Sequence, residues 1–372
     1  MKIIIDSSNL FAGGGVQVAT SFLNDLNKIN LDHEFHVLQS HGLKKQIDKS
    51  IFSSNFIFYE LKANHSSILK RIKEVKLIES TLNPDVIFTV FGPSYHKSSC
   101  PKVVGFAIPH LIYKKSPFFN KMSIKNRLKN KISNIYKKYF FIKNSDALIF
   151  ESDESRKVFM EFTDKKIKSY TVNNTLNEVF FNKKKWLDIP FKRTSKLNIL
   201  CLSAKSPHKN LDIIPEVIDQ LVDYYKITNF NFIISQNKDE LGFNNKYDKF
   251  INYIGAVDIN QVPSLYQKID FLFMPTLLEV FSTTYLEAMY MGKPIIASDM
   301  GFARDICGNS ALYNNPLDPL DYARSIDRLY KDKNLQIKLV ENGKHNLKRF
   351  GNSLDRTKKY IKIIENIIKY EN

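Results

Sequence analysis

One rhythm, played twice, constrains this chain more than any other feature. Short apolar runs alternate with longer amphipathic stretches from residue 3 to residue 172, the pattern breaks, and it begins again at residue 198. The runs at 3–6, 35–39, 85–89, 103–107, 147–151 and 167–172 have strand length, and the stretches 16–28, 67–82, 124–143 and 155–162 between them have helical spacing. Strand, helix, strand order implies parallel sheets covered on both faces. At 181–196 periodicity gives way to Lys, Pro and Arg, which reads as an interdomain linker. The second round comprises 198–202, 212–225, 230–234, 251–254, 262–267, 270–274, 284–291 and 294–297, with late helices at 317–331, 335–349 and 354–369.

The expected fold is therefore α/β, with two Rossmann-like doubly wound domains: 1–183, a linker at 184–196, and 197–352, followed by a C-terminal helix at 353–372. Two such domains facing one another make a cleft at their sheet ends, where open α/β folds bind ligands.

No apolar run approaches the roughly 20 residues of a membrane-spanning helix. The start, Met1-Lys2-Ile3-Ile4-Ile5-Asp6, is too short for a signal-peptide core, so a cytoplasmic location is expected. Cys100, Cys201 and Cys307 lack the spacing of a zinc site or a disulfide framework. A net charge of +17 attracts anions without saying which.

The segment 270–306, DFLFMPTLLEVFSTTYLEAMYMGKPIIASDMGFARDI, is the most informative. It reads as a buried strand, a loop over 275–282, a helix starting near Ser282 to Thr284, and another strand at 294–297. Unpaired N–H groups and the dipole at a helix start favour a diphosphate. Glu279 and Glu287 flank that start, and an ionised carboxylate accepts hydrogen bonds from vicinal sugar hydroxyls. Spacing alone favours a plainer reading, a capping box in which Glu287 bonds back to Thr284 and Glu279 is a solvated loop residue.

A family resemblance reverses that preference. Pro275, Glu279, Glu287-Ala288 and Gly292-Lys293-Pro294-Ile295-Ile296-Ala297-Ser298 resemble the signature of the retaining GT-B glycosyltransferases of family GT4. The resemblance implies that Glu287 binds the ribose, that Glu279 contacts the transferred sugar, and that the amides of Ser282, Thr283 and Thr284 hold the distal phosphate. The family's glycines in this loop are replaced by Val280 and Ser282.

Upstream, Leu202 to Leu211 resembles the family's second phosphate element. Lys209 matches its lysine, and Lys205 substitutes for an arginine whose place falls at Ala204. Without the other motifs, a lysine there reads as a solvated charge. Gly13-Gly14-Gly15 lies where family members carry a glycine loop, so Gly14 and Gly15 are expected near donor phosphate or acceptor; alone, the motif reads as a structural turn. His110, just past the strand at 103–107, corresponds to a histidine that contacts the transferred sugar, with a packed bystander as the plain alternative.

From Lys114 to Lys143 there are ten Lys or Arg residues and no Asp or Glu, interleaved with Phe118, Phe119, Tyr136, Tyr139, Phe140 and Phe141. Such a segment suits an anionic membrane surface, with association weakening in salt, or a solvated helix face. The combined expectation is a retaining hexosyltransferase, catalytic through Glu279, His110 and Lys209. It would move a sugar from a UDP- or GDP-sugar to a glycan or lipid-linked acceptor in surface polysaccharide or lipopolysaccharide assembly, peripheral on the inner face of the cytoplasmic membrane. No Asp-x-Asp occurs, so no metal and no cofactor beyond the donor are expected. The rivals are another GT-B enzyme, such as a nucleotide-sugar epimerase or a phosphorylase, and a basic nucleic-acid-binding protein. The last would show a stacking module or helix-turn-helix that is absent, so no nucleic-acid partner is expected.

Overall fold

The structure is a computed structural model that describes residues 1–62, 67–163, 167–194 and 196–369. It divides into two units: Met1–Ile112, Lys125–Asn174 and Asn352–Asn372 form the first, and Tyr113–Ile124 with Thr175–Gly351 the second.

The first unit holds β1 (Lys2–Ser7), β2 (Glu34–Gln39), β3 (Phe56–Glu60), β4 (Val86–Thr89), β5 (Lys102–Phe106), β6 (Ala147–Phe150) and β7 (Lys168–Thr171). They form one sheet in the order β3-β2-β1-β4-β5-β6-β7, and every pairing is parallel. Both faces of β1 are buried: Ile3 and Ile5 pack into one core, while Ile4 joins a smaller one with Leu38 and Ile87. A continuous run of isoleucine is what such a central strand requires. Helix Gly14–Lys28 lays Val16, Ala19, Phe22, Leu23 and Leu26 on this sheet at helical spacing.

The helix Ser353–Lys369 also belongs to this unit. Tyr360 meets Phe22 and Phe88 at ring distances of 5.6 and 5.5 Å. The buried Arg356 donates to Asn174 Oδ1 at 2.5 Å and to Ser21 Oγ at 2.9 Å. The helix Ser353–Lys369 thus returns to the first domain.

The second unit holds β8 (Leu197–Cys201), β9 (Phe230–Ile234), β10 (Ile251–Tyr253), β11 (Phe271–Met274), β12 (Ile295–Ser298) and β13 (Ala311–Asn314). These pair in parallel in the order β10-β9-β8-β11-β12-β13. Along β8, Leu200 enters one core, and Ile199 and Cys201 enter another, so this sheet too is covered on both sides.

The stretch expected as a linker, 184–196, packs within the second unit. Ile189 and Phe191 are buried in its core beside Leu176, Val179 and Phe180, and Arg193 pairs with Asp270 at 2.7 Å. Its Lys and Arg residues masked the apolar anchors between them. Strands β3 and β13, which the apolar pattern missed, are sheet edges and only partly covered. No helix of the described residues is long and apolar enough to cross a membrane.

The basic segment 114–143 is shared between the units. Its first part belongs to the second unit, where Phe118 is buried against Leu277 and Leu278 with Phe119 beside it. The rest is the helix Ile124–Lys143, in which Phe141 is buried and Phe140 half-buried. Of the six interleaved aromatics, only Tyr136 and Tyr139 are exposed. The others answer to packing.

Candidate active site

In the second sheet β8 and β11 are neighbours, yet the chain leaves them in opposite directions, β8 towards β9 and β11 towards β12. Loops at the carboxyl ends of two such strands diverge and leave a crevice between them. The loop after β8 ends in a short turn, Pro207–Lys209, and the loop after β11 spans 275–282. Leu277 N–H donates to the His208 carbonyl at 2.7 Å, joining the two. Lys209 donates from Nζ to Glu279 Oε1, and both side chains are mostly buried, with 13% and 16% exposure. The other carboxylate oxygen, Glu279 Oε2, is buried and accepts no hydrogen bond. A carboxylate held by a cation on one side, with free lone pairs on the other, is poised to accept from a hydroxyl.

The helix that follows, Thr283–Tyr290, starts from Ser282 with no side-chain cap and no acidic residue in its first turn. Its leading N–H groups therefore have no partner within the helix. The sequence left open whether Val280 and Ser282 could stand where relatives have glycine. Neither adopts a positive φ, and Ser282 has φ −126°, so the loop path does not require glycine.

Glu287 lies one turn inside this helix. Thr283 Oγ1 donates to its Oε1 at 3.4 Å, and Tyr266 Oη donates to its Oε2 at 3.3 Å. Burial pushes its pKa up to about 7 against these two hydrogen bonds. Ser282, not Thr284, is the N-cap, and the carboxylate oxygens engage Tyr266 and Thr283. The plain capping-box reading therefore does not describe this carboxylate. A buried carboxylate met only by neutral hydroxyls gains from further donors, and a ribose diol supplies two.

The second unit thus brings together Lys209, Glu279, Ser282, Thr283, Thr284 and Glu287. Lys205 is in the same loop as Lys209 and is exposed. Gly14, Gly15 and His110 belong to the first unit, at the carboxyl ends of its strands. Gly13 (φ +73°) needs its glycine backbone and caps the helix that begins at Gly14. A side chain at Gly14 would meet nothing within 4 Å, whereas at Gly15 a Cβ would come within 3.2 Å of Leu10. Space is therefore tight at 15, against the side chains of Leu10 and Phe91, and open at 14. His110 sits in the turn Pro109–Ile112 after β5, where burial and then the charge of Lys137 lower its pKa and keep the ring neutral.

Sequence reasoning missed the residues that hold the two loops in place. Ser116 Oγ donates to the Leu277 carbonyl at 2.7 Å, and Phe118 packs edge-on to His208 at 6.2 Å. Lys121 Nζ donates to Asn210 Oδ1 at 2.5 Å, while Asn210 Nδ2 donates to the Pro316 carbonyl at 3.0 Å. The one available signal was Asn210, directly after Lys209.

The second unit is thus a doubly wound sheet with an uncapped helix start, a lysine and two largely buried carboxylates at its switch point, the place where such sheets bind ligands. Residues 182–346 match the family described as glycosyl transferases group 1, and the chain folds as a GT-B pair of Rossmann-like domains. Over 370 residues it is 24% identical to an uncharacterized glycosyltransferase of Methanocaldococcus jannaschii, covering 94% of each chain. Sucrose-phosphate synthase from Thermosynechococcus elongatus superposes on it with a TM-score of 0.76 at 13% identity, over 100% of both chains. HepE of Anabaena, solved with UDP and glucose, gives 0.69 at 13% identity over 98% of this chain and 99% of that one. At these identities the superpositions speak to fold.

Proposed function

We propose that the chain transfers a sugar from a UDP- or GDP-sugar to a glycan or lipid-linked acceptor, with retention of anomeric configuration and without a divalent metal. The observation that carries this reading is the buried Glu279 Oε2, which has no hydrogen-bond partner while Lys209 holds the other carboxylate oxygen. In the donor complex the amides at Ser282, Thr283 and Thr284 receive the distal phosphate, and Glu287 receives the ribose. Lys209 turns part of its charge from Glu279 to the diphosphate as the glycosidic bond breaks, and Glu279 holds a sugar hydroxyl. Leaving-group stabilisation by fixed amides and a lysine is electrostatic preorganisation, which needs no covalent step from the protein. The solved UDP complexes of HepE support a uridine donor. His110, neutral and at a strand exit, is assigned to the transferred sugar, Gly14 and Gly15 to the phosphate or acceptor, and Lys205 to the phosphates.

The setting proposed is surface polysaccharide or lipopolysaccharide assembly at the inner face of the cytoplasmic membrane. The test is a thermal-shift screen of nucleotides and nucleotide sugars, since a ligand that binds only the folded chain raises its melting temperature. UDP or GDP should stabilise the wild type and leave Glu287→Ala and Lys209→Ala unshifted. The anomer released with the hit donor then reports retention, and an inverted product or no nucleotide hit would overturn the reading.

A further inference from the structure

Helix Ile124–Lys143 turns an apolar stripe outward. Ile124, Leu128, Ile132, Ile135, Tyr136 and Tyr139 are 86, 58, 48, 63, 62 and 48% exposed. At 100° per residue all six fall within about 120° of the helix circumference. A helix that rests on a core shows the reverse arrangement, with its apolar residues inward. Here the inward side is carried by Phe141, the half-buried Phe140 and Asn134, whose Nδ2 donates to the His110 carbonyl at 2.9 Å.

The cations are placed with respect to that stripe. Lys125, Lys129 and Lys143 project along one margin, Arg127, Lys131 and Lys138 along the other, and the whole helix contains no acidic residue. Lys138 and Lys137 are drawn towards the protein, and Lys138 donates to the Phe162 carbonyl. Lys125, Arg127, Lys129, Lys131 and Lys143 remain exposed. Tyrosines, whose rings are apolar and whose hydroxyls are polar, suit the boundary between lipid and water.

We infer that this helix lies on the surface of an anionic lipid bilayer, with the stripe from Ile124 to Tyr139 in the headgroup layer and the two basic margins on lipid phosphates. Charge complementarity selects this occupant. A neutral protein partner would have no use for two cationic borders, and a nucleic acid would have none for the aliphatic centre. The inference adds to the proposed transfer activity the surface at which a lipid-linked acceptor would be met. It does not depend on the donor site, which lies in the other unit.

The test is flotation of the full chain with vesicles of phosphatidylcholine, alone or mixed with phosphatidylglycerol. Two triple variants are compared with wild type: Leu128→Ser with Ile132→Ser and Ile135→Ser, and Lys125→Glu with Lys129→Glu and Lys131→Glu. All six side chains are exposed, so both variants should fold, and an unchanged nucleotide-induced thermal shift checks that separately from membrane binding. Wild type should float with the anionic vesicles only. Either variant should lower the bound fraction by about tenfold or more, as should raising salt from about 0.1 M to about 1 M. If the serine variant floats like wild type, net charge alone explains binding and the inference falls. It falls equally if wild type does not float, or if it binds duplex DNA in a way that the glutamate variant loses and the serine variant keeps.

Discussion

Lys209 and Glu279, 70 residues apart in sequence, form an ion pair that ties the loop after β8 to the loop after β11. The pair spans the switch point of the second sheet, so any ligand seated there meets a cation and a carboxylate already fixed in place.

Removing one member should therefore do two kinds of harm. Lys209→Ala leaves the Glu279 carboxylate mostly buried without its cation, which should cost about 1–3 kcal/mol of stability. It should also lower kcat/KM by about 10²- to 10³-fold through the lost leaving-group contact. Chemical denaturation and a donor-turnover assay separate the two effects. Full activity in Lys209→Ala would remove the lysine from the mechanism.

Glu287 gives the enzyme a pH dependence. Its carboxyl ionises at an ordinary 4.5 when unfolded and at about 7 in the folded chain. Between those values the native state holds a proton that the unfolded chain has released. Its contribution to stability is thus present in full below pH 4.5, declines through the window, and levels off above pH 7. Donor affinity should run the other way, because ribose hydroxyls donate best to the ionised form. Below pH 7, Kd should rise by up to about tenfold per unit. Calorimetric titration across pH 5.5–8.5 checks this, and Glu287→Gln should flatten the profile; an unchanged slope in that variant would assign it to another group.

Unit 1 has its own buried ionic network. Burial would raise the Glu79 pKa, but hydrogen bonds from His96, Ser98 and Ser99 outweigh it and hold the value at about 2. Nearby, burial lowers Lys102 to about 8, where it donates to Ser94 Oγ and to the His96 carbonyl. The Glu79 contribution is present above pH 4.5 and lost as pH falls towards 2, while the Lys102 penalty is relieved as pH rises from 8 towards 10.5. Glu79→Gln should destabilise by about 2 kcal/mol at neutral pH and weaken the acid dependence, as read by urea denaturation at several pH values.

Chelation offers a direct check on the proposed chemistry. With amides and Lys209 at the leaving group, transfer should proceed unchanged in excess chelator. Loss of turnover that added Mg²⁺ or Mn²⁺ restores would replace this mechanism with a metal-assisted one.

The rhythm of apolar runs exposed most of the fold because a strand buried on both faces must be continuously apolar, as Ile3 to Ile5 are. It missed two edge strands, Phe56–Glu60 and Ala311–Asn314, which are only partly covered, although it found the other two edges, β7 and β10. In the candidate site, Glu279, Glu287 and Lys209 could be found because each sits in a local motif. Ser116 and Lys121 could not. They reach Leu277 and Asn210 across 161 and 89 residues, and nothing local marks a side chain whose role is to brace a distant loop. The reading of 114–143 rested on its charge and aromatics, and the outward-facing aliphatic residues played no part in it.

The position of the helix Ser353–Lys369 affects how the molecule comes into being. During synthesis the ribosome releases β1 to β7 long before the helix that closes over Phe22 and Phe88. A nascent first domain must wait, with that apolar face open, until the entire second domain has emerged. Stalling or truncation late in translation would therefore damage the domain made first.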